Sequence, residues 1–278
     1  MTPIQQYIQY AKHVKGYNDN TIRAYESDIH NFCIWLSGSK PDARWSTLTR
    51  DDIDNYITYR SQQGMKASTT NREIAAISSI YCFFMRIGVI KENPTKLENR
   101  KKLPETIPNT IPMNDLRKAY THAKGCVKTM LGILATTGIR LQEMLDLTWQ
   151  DIDFENSSLK IMGKGQRERI VYTSADILKD LHECSQYVTH NRRLFWIGQR
   201  TARRMIYDAL RPFTRARQLS PHAIRHTYAT ELAKNGITAT TIAKAMGHKR
   251  LDTTQKYINM AEIEAANNSF PNLINISA

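Results

Sequence analysis

From Asn20 the apolar positions Ile22, Tyr25, Ile29, Phe32 and Leu36 recur at three- and four-residue steps, one stripe of a 3.6-residue helix. Thr49, followed by Asp51 and Asp52, reads as a helix start, and the apolar residues Ile53, Tyr56, Ile57 and Tyr59 carry that helix to about Gln63. Ser68 and Thr69 open another, with Ile74, Ile77, Tyr81 and Phe84 on one face and Gly88 closing it. With a short helix over 3–14, residues 1–92 are expected to form a small all-helical domain. The aromatic residues read as its core. Lys66, Ser68, Thr69, Thr70, Asn71 and Arg72 form a polar edge suited to phosphates.

The pattern breaks over residues 93–112. Pro94, Pro104, Pro108 and Pro112 exclude a regular helix there, so this stretch, with Arg100-Lys101-Lys102 inside it, reads as a linker. Helical periodicity then resumes at Asn114, taken as an N-cap, and continues over 127–136 and 139–147. Two short alternating segments, 158–162 and 169–172, flank Gly163-Lys164-Gly165-Gln166 and predict a β-hairpin with a lysine at its tip. Further helices are expected over 201–210, 222–234, 238–246 and 253–260, the last running on through 262–268. Phe270, Pro271, Leu273, Ile274 and Ile276 suggest an apolar tail, docked either on its own domain or on a neighbouring subunit. The expected fold is mainly α with a small β-hairpin: a helical N-terminal domain, then an α+β domain over 113–278.

Charge changes the picture more than composition does. Lys plus Arg number 39 against 26 acids, a net +13, and 26 of the basic but only 16 of the acidic residues follow position 100. Such a balance points to a polyanion, nucleic acid ahead of a membrane surface. Between Arg192 and Arg217 eight arginines face one acid, Asp208, and the 201–210 helix with its flanks presents Arg200, Arg203, Arg204 and Arg211. With Arg72 these are the candidate DNA-binding residues. No apolar run approaches the ~18 residues of a membrane span, no secretory signal opens the chain, and the expected compartment is cytoplasmic. The cysteines Cys33, Cys82, Cys126 and Cys184 are scattered, and read as buried free thiols rather than disulfides or metal ligands.

Candidate chemistry concentrates in the last half. Thr137-Gly138-Ile139-Arg140-Leu141-Gln142-Glu143 places Arg140 and Glu143 on one helical face. Pro221-His222-Ala223-Ile224-Arg225-His226 brings a second arginine three residues after a histidine, and Gly247-His248 and Tyr257 follow. Two guanidiniums suit an anionic phosphodiester. A tyrosine beside them is a candidate covalent nucleophile. His226 reads as packed or structural and Tyr228 as core.

These segments, with Gly163-Lys164-Gly165-Gln166-Arg167-Glu168-Arg169-Ile170-Val171 between them, resemble the tyrosine recombinases, or phage-integrase family, in the family's order and spacing over nearly the whole chain. The layout is most similar to the Xer-type members, with no extra N-terminal domain for distant DNA sites expected. Met246 and Ile224 stand where the family often has leucine, and no histidine follows Tyr257 two positions on. The resemblance implies a site-specific DNA recombinase. Its catalytic set would be Arg140, Lys164, His222, Arg225, His248 and Tyr257, with Glu143 in support. Tyr257 would attack a phosphodiester and hold the 3′ phosphate, His222 would take its proton, and Lys164 would protonate the leaving 5′ oxygen. Arg140, Arg225 and His248 would bind the phosphate oxygens. No metal or other cofactor is expected, because one phosphoester replaces another. The implied partners are double-stranded DNA with inverted-repeat core sites and three further copies of the chain, in a tetramer that associates more weakly without DNA. A type IB topoisomerase-like enzyme and a catalytically silent DNA-binding protein are the alternatives.

Overall fold

A computed structural model describes residues 1–95, 107–163, 167–185, 193–248 and 251–269. The chain divides into two compact units, residues 1–105 and 106–278.

The first unit contains α1 (Pro3–His13), α2 (Asp19–Ser39), α3 (Arg50–Gln62) and α4 (Ala67–Arg86). Its core is the stripe that the periodicity marks: Ile22, Ile29, Phe32 and Leu36 of α2 meet Ile53 and Tyr56 of α3 and Ile74, Ile77 and Phe84 of α4. Tyr25 and Ile57 are only half-buried and Tyr59 is exposed. Three carboxylates are buried with them, which requires paired donors: Asp52 takes the N–H and hydroxyl of Thr49 and the ammonium of Lys40. Asp28 accepts the fork of Arg72 at 2.9 and 2.8 Å, and Glu73 accepts that of Arg60 at 2.9 and 2.6 Å together with the Tyr56 hydroxyl. Thr70, expected on a polar edge, is fully buried.

Both ends of the stretch expected to be a linker are packed. Asn93 donates to Ser78 and accepts from Thr95 in the first unit. In the second, the N–H and C=O of Ile111 both pair with the Thr227 hydroxyl, and Asn109 donates to Gln218. Residues 107–112 therefore belong to the second unit.

The second unit contains α5 (Met113–His122), α6 (Gly125–Thr137), α7 (Leu141–Asp146), β1 (Ile152–Asp153), β2 (Ser158–Gly163), β3 (Arg167–Tyr172), α8 (Ala175–Ser185), α9 (Gln199–Leu210), α10 (Pro221–Lys234), α11 (Ala239–Met246) and α12 (Asp252–Ser269). Asn114 lies inside α5, whose N-cap is Pro112. The periodicity missed α8, which buries Ile177, Leu178 and Leu181, and the two-residue strand β1. The sheet is antiparallel in the order β1-β2-β3, with Leu159 opposite Val171 and Gly163 opposite Arg167. Leu159, Ile161 and Val171 point to the core, while Met162, Ile170 and Tyr172 stay exposed, as period-2 alternation requires.

At the centre of the unit lies α6, with Met130, Leu131, Ile133 and Leu134 buried. It ends on Gly138, which adopts φ 59°, and a Cβ there would lie 2.2 Å from the Tyr228 ring. A residue with a side chain is disfavoured by both conformation and space. That turn aims Arg140 and hands the Gly138 carbonyl to α10. Cys82 is exposed, and Cys33 and Cys126 are half-buried, so burial is not common to the thiols; the Cys184 side chain lies outside the described residues. Among the described residues no helix is long and apolar enough to cross a membrane.

Candidate active site

Five of the six expected catalytic residues line one cavity of about 640 Å³: Arg140, His222, Arg225, His248 and Tyr257. The sixth, Lys164, lies outside the described residues; Gly163 and Arg167, the described residues that flank it, line the same cavity.

Arg140 stands at the N-cap of α7. The Glu143 carboxylate accepts its backbone N–H at 2.9 Å and its Nη1 at 2.7 Å, and Nη2 donates to the Gly247 carbonyl at 3.2 Å. The carboxylate thus caps the helix and fixes the guanidinium together. Burial works to raise the pKa of Glu143, but Arg169 and Arg140 outweigh it and hold the carboxylate below its ordinary range. Arg225 is 2% exposed and spends its fork on two carbonyls, Gly138 and Met246, each at 2.6 Å. Burial, and then the charge of Arg140, lowers its pKa to about 10.

The three histidines differ. His222 is exposed on the cavity, and its pKa is lowered by partial loss of water and then by Arg225 and Arg140. The Nδ1 of His248 pairs with the Thr254 hydroxyl at 2.8 Å. When Nδ1 accepts from that hydroxyl, Nε2–H remains to donate elsewhere. The third, His226, pairs through Nδ1 with the Tyr257 hydroxyl at 2.7 Å. Burial is the largest cause of the shift in both His226 and His248, and each falls to about 4.

Tyr257 itself is 1% exposed and packs with Ala229, Ile242 and Met246. Burial raises its pKa and Arg225 partly opposes the rise. With His226 at about 4, the proton stays on the phenol, and the pair is neutral at physiological pH. This contact was not anticipated: His226 touches the expected nucleophile instead of merely filling space. The signal for it was the i, i+4 spacing of His222 and His226 on one helix face, which brings their ring centroids to 5.2 Å. Arg169 was likewise quoted only as part of the hairpin, yet it donates to Glu143 and to the Ala245 carbonyl.

Of the expected DNA-binding residues, Arg200, Arg203, Arg204 and Arg211 are exposed on or just beyond α9. Arg72 has its fork on Asp28, so part of its charge is already neutralised. Among the described residues no three or more His, Cys, Asp or Glu side chains are grouped as metal ligands would be.

The histidines give the fold a pH dependence. An unfolded imidazole titrates near ~6.5, whereas His226 and His248 titrate at about 4 in the folded chain. Between those values the unfolded chain binds more protons, so stability is full above about 6.5 and falls steadily as the pH drops towards about 4. Melting temperatures taken from pH 7.5 to 4 should show this decline, and His226→Gln should make it shallower. Equal slopes would remove His226 from the account.

The profile of the phage integrase family matches residues 110–263, and that of the family's N-terminal SAM-like domain matches residues 4–88. Fold and match together define a tyrosine-type site-specific recombinase, an enzyme that recombines DNA through tyrosine cleavage. The chain belongs to the phage integrase family and is Xer-like. It is 24% identical to tyrosine recombinase XerD of Listeria innocua serovar 6a over 94% of both chains, and 28% identical to XerD of Pseudomonas aeruginosa over 89% of both. The fold is also similar to that of the XerH site-specific recombinase bound to its palindromic difH substrate in a post-cleavage complex, with a TM-score of 0.76, 17% identity, and coverage of 96% of this chain and 84% of that one. A lambda integrase dimer bound to a COC′ core site gives a TM-score of 0.70 at 16% identity, over 92% of this chain and 94% of that one.

Proposed function

We propose that this recombinase exchanges strands between two double-stranded DNA sites with inverted-repeat cores, through a phosphodiester bond between Tyr257 and a 3′ phosphate. The observation that carries this reading is the convergence of Tyr257, Arg140, Arg225 and three imidazoles around one cavity. Arg140 and Arg225 bind the non-bridging oxygens, where fixed donors favour the charge that develops on phosphorus. His248 adds a donor to the same phosphate.

The pair of Tyr257 and His226 is the resting arrangement, because its phenol is neutral and almost fully covered. When DNA engages, the phenol leaves His226, turns towards the phosphate and passes its proton to His222, whose ring is already exposed at the cavity. Lys164 protonates the departing 5′ oxygen. The second step reverses the first with a hydroxyl from another strand, so bond energy is conserved and no nucleotide cofactor is consumed.

The exposed arginines of α9 and its flanks follow the DNA backbone, and Arg72 offers its outer edge to a phosphate. Exchange between two sites, each with two half-sites, requires four subunits, a tetramer that DNA assembles from weakly associating copies. Integration, excision, inversion and resolution of joined molecules are one exchange between differently arranged sites. The protein acts in the cytoplasm, where its DNA is.

The test is incubation with DNA from the neighbourhood of the gene, nicked so that the cleaved product diffuses away, with a chelator present. A denaturing gel should show a protein–DNA adduct, and mass spectrometry should place the nucleotide on Tyr257. An adduct on another residue, or none on any flanking sequence bound tightly, would refute the assignment.

A further inference from the structure

Of the two cavity arginines that the scheme above leaves without a task, Arg167 is exposed and Arg169 is half-buried. Arg169 projects from β3 with its side chain 13% exposed. Nη2 and Nη1 donate to the two oxygens of Glu143 at 2.6 and 3.3 Å, and Nε donates to the Ala245 carbonyl at 3.2 Å. Three segments therefore meet on one guanidinium: the hairpin, the first turn of α7 and the end of α11.

Two glycines leave room for it. A Cβ on Gly247 would lie 3.0 Å from Nη1 of Arg169, and one on Gly163 would lie 3.3 Å from the same atom. Gly247 is also the residue whose carbonyl accepts from Arg140, and it directly precedes His248.

We propose that Arg169 is a positioning residue that acts through Glu143 and the Gly247 turn to hold the Arg140 guanidinium against the reacting phosphate. Arg140 has three fixed contacts, two on Glu143 and one on Gly247, and Arg169 packs against both partners. Without it, Glu143 keeps only its two contacts to Arg140, and the Ala245 carbonyl at the end of α11, two residues before Gly247, loses a donor. A hydrogen-bonded fork has the geometry to prevent both, which a lysine point charge lacks. The inference rests on the proposed phosphate-binding role of Arg140.

The experiment compares wild type, Arg169→Gln and Arg169→Lys. Single-turnover cleavage is measured on saturating nicked DNA with a phosphodiester, and again with a methylphosphonate at the scissile position. A displacement of about 1 Å at a reacting centre costs on the order of 10²-fold, which is the loss expected for Arg169→Gln on the phosphodiester. DNA affinity should hold within about twofold, since the residue touches no phosphate itself. The methylphosphonate lacks one anionic oxygen, so its cleavage depends less on a second guanidinium, and the defect should shrink severalfold. Arg169→Lys should recover cleavage only in part.

Equal losses on both substrates would mean general damage to the fold and would overturn the proposal, as would wild-type rates in Arg169→Gln. A measurement free of DNA separates this idea from the reading beneath it. Rotation of the Arg140 guanidinium, followed by NMR, should be slow in wild type and faster in Arg169→Gln. Unchanged rotation overturns the positioning role even where cleavage falls. Faster rotation in a protein whose wild type forms no adduct leaves the positioning intact and defeats the recombination scheme alone.

Discussion

Tyr257→Phe is expected to form no covalent adduct with nicked DNA while binding that DNA as tightly as wild type. The change removes a single oxygen, and that oxygen is the proposed nucleophile. Loss of a covalent nucleophile costs on the order of 10⁵ to 10⁶ in rate, which places residual cleavage below detection. The fold should survive. The ring of Tyr257 packs among Ala229, Ile242 and Met246, and phenylalanine fills the same volume. What is lost is the hydrogen bond to His226, leaving one half-buried imidazole nitrogen without its partner, at a cost of about 1 kcal/mol. A melting temperature close to wild type, unchanged affinity and no adduct would together confine the defect to chemistry. Persistent cleavage in Tyr257→Phe would mean that another group attacks, and the cavity would need a different nucleophile.

The parts of this arrangement that were legible in the sequence are those set by short-range rules. Periodicity located α2 and α4 because each buries a stripe of its apolar residues, while α10 starts on a short-range signature, the Ser220 cap followed by Pro221. The hairpin was visible because Leu159, Ile161 and Val171 alternate with polar or exposed neighbours. The candidate set Arg140, Lys164, His222, Arg225, His248 and Tyr257 could be named from the family resemblance that its motifs carry. Its internal wiring could not. Gly138 and Met246 receive Arg225 through their carbonyls, and a carbonyl is present at every residue, so no side-chain pattern marks it. Arg169 and Glu143 lie 26 positions apart and meet only because β3 packs beside α7. The i, i+4 spacing with His222 puts His226 on the same helix face, but its partner Tyr257 lies 31 residues later and meets it only in the folded chain. In the first unit Asp28 and Arg72 are 44 residues apart, and from sequence Arg72 read simply as an unneutralised charge.

Arg225 is where fold and chemistry compete most directly, and Arg225→Met should reduce cleavage by at least about 10³ with a much smaller effect on stability. The stability change has two opposing parts. Removing the fork strands the Gly138 and Met246 carbonyls in a site 2% exposed, at about 1 to 3 kcal/mol each. Removing the charge relieves the burial and the repulsion from Arg140 that bring the pKa down to about 10, worth on the order of 3 kcal/mol. The net loss should therefore be no more than about 3 kcal/mol, and the variant should remain folded at ordinary temperature. Cleavage has no such compensation, because the charge developing on phosphorus loses one of the two guanidiniums proposed to bind it. Arg225→Lys sharpens the test. Lysine keeps a charge but cannot reach both carbonyls as a fork. The same burial and the charge of Arg140 push its pKa below its ordinary value near ~10.4. Cleavage by Arg225→Lys should thus begin to decline at a lower pH than that of wild type, whose guanidinium stays charged to about 10. Single-turnover rates between pH 6.5 and 9 decide the matter. Parallel profiles, or Arg225→Met within tenfold of wild type, would remove Arg225 from the charge-stabilising role and leave it as the tie between α6, α10 and α11.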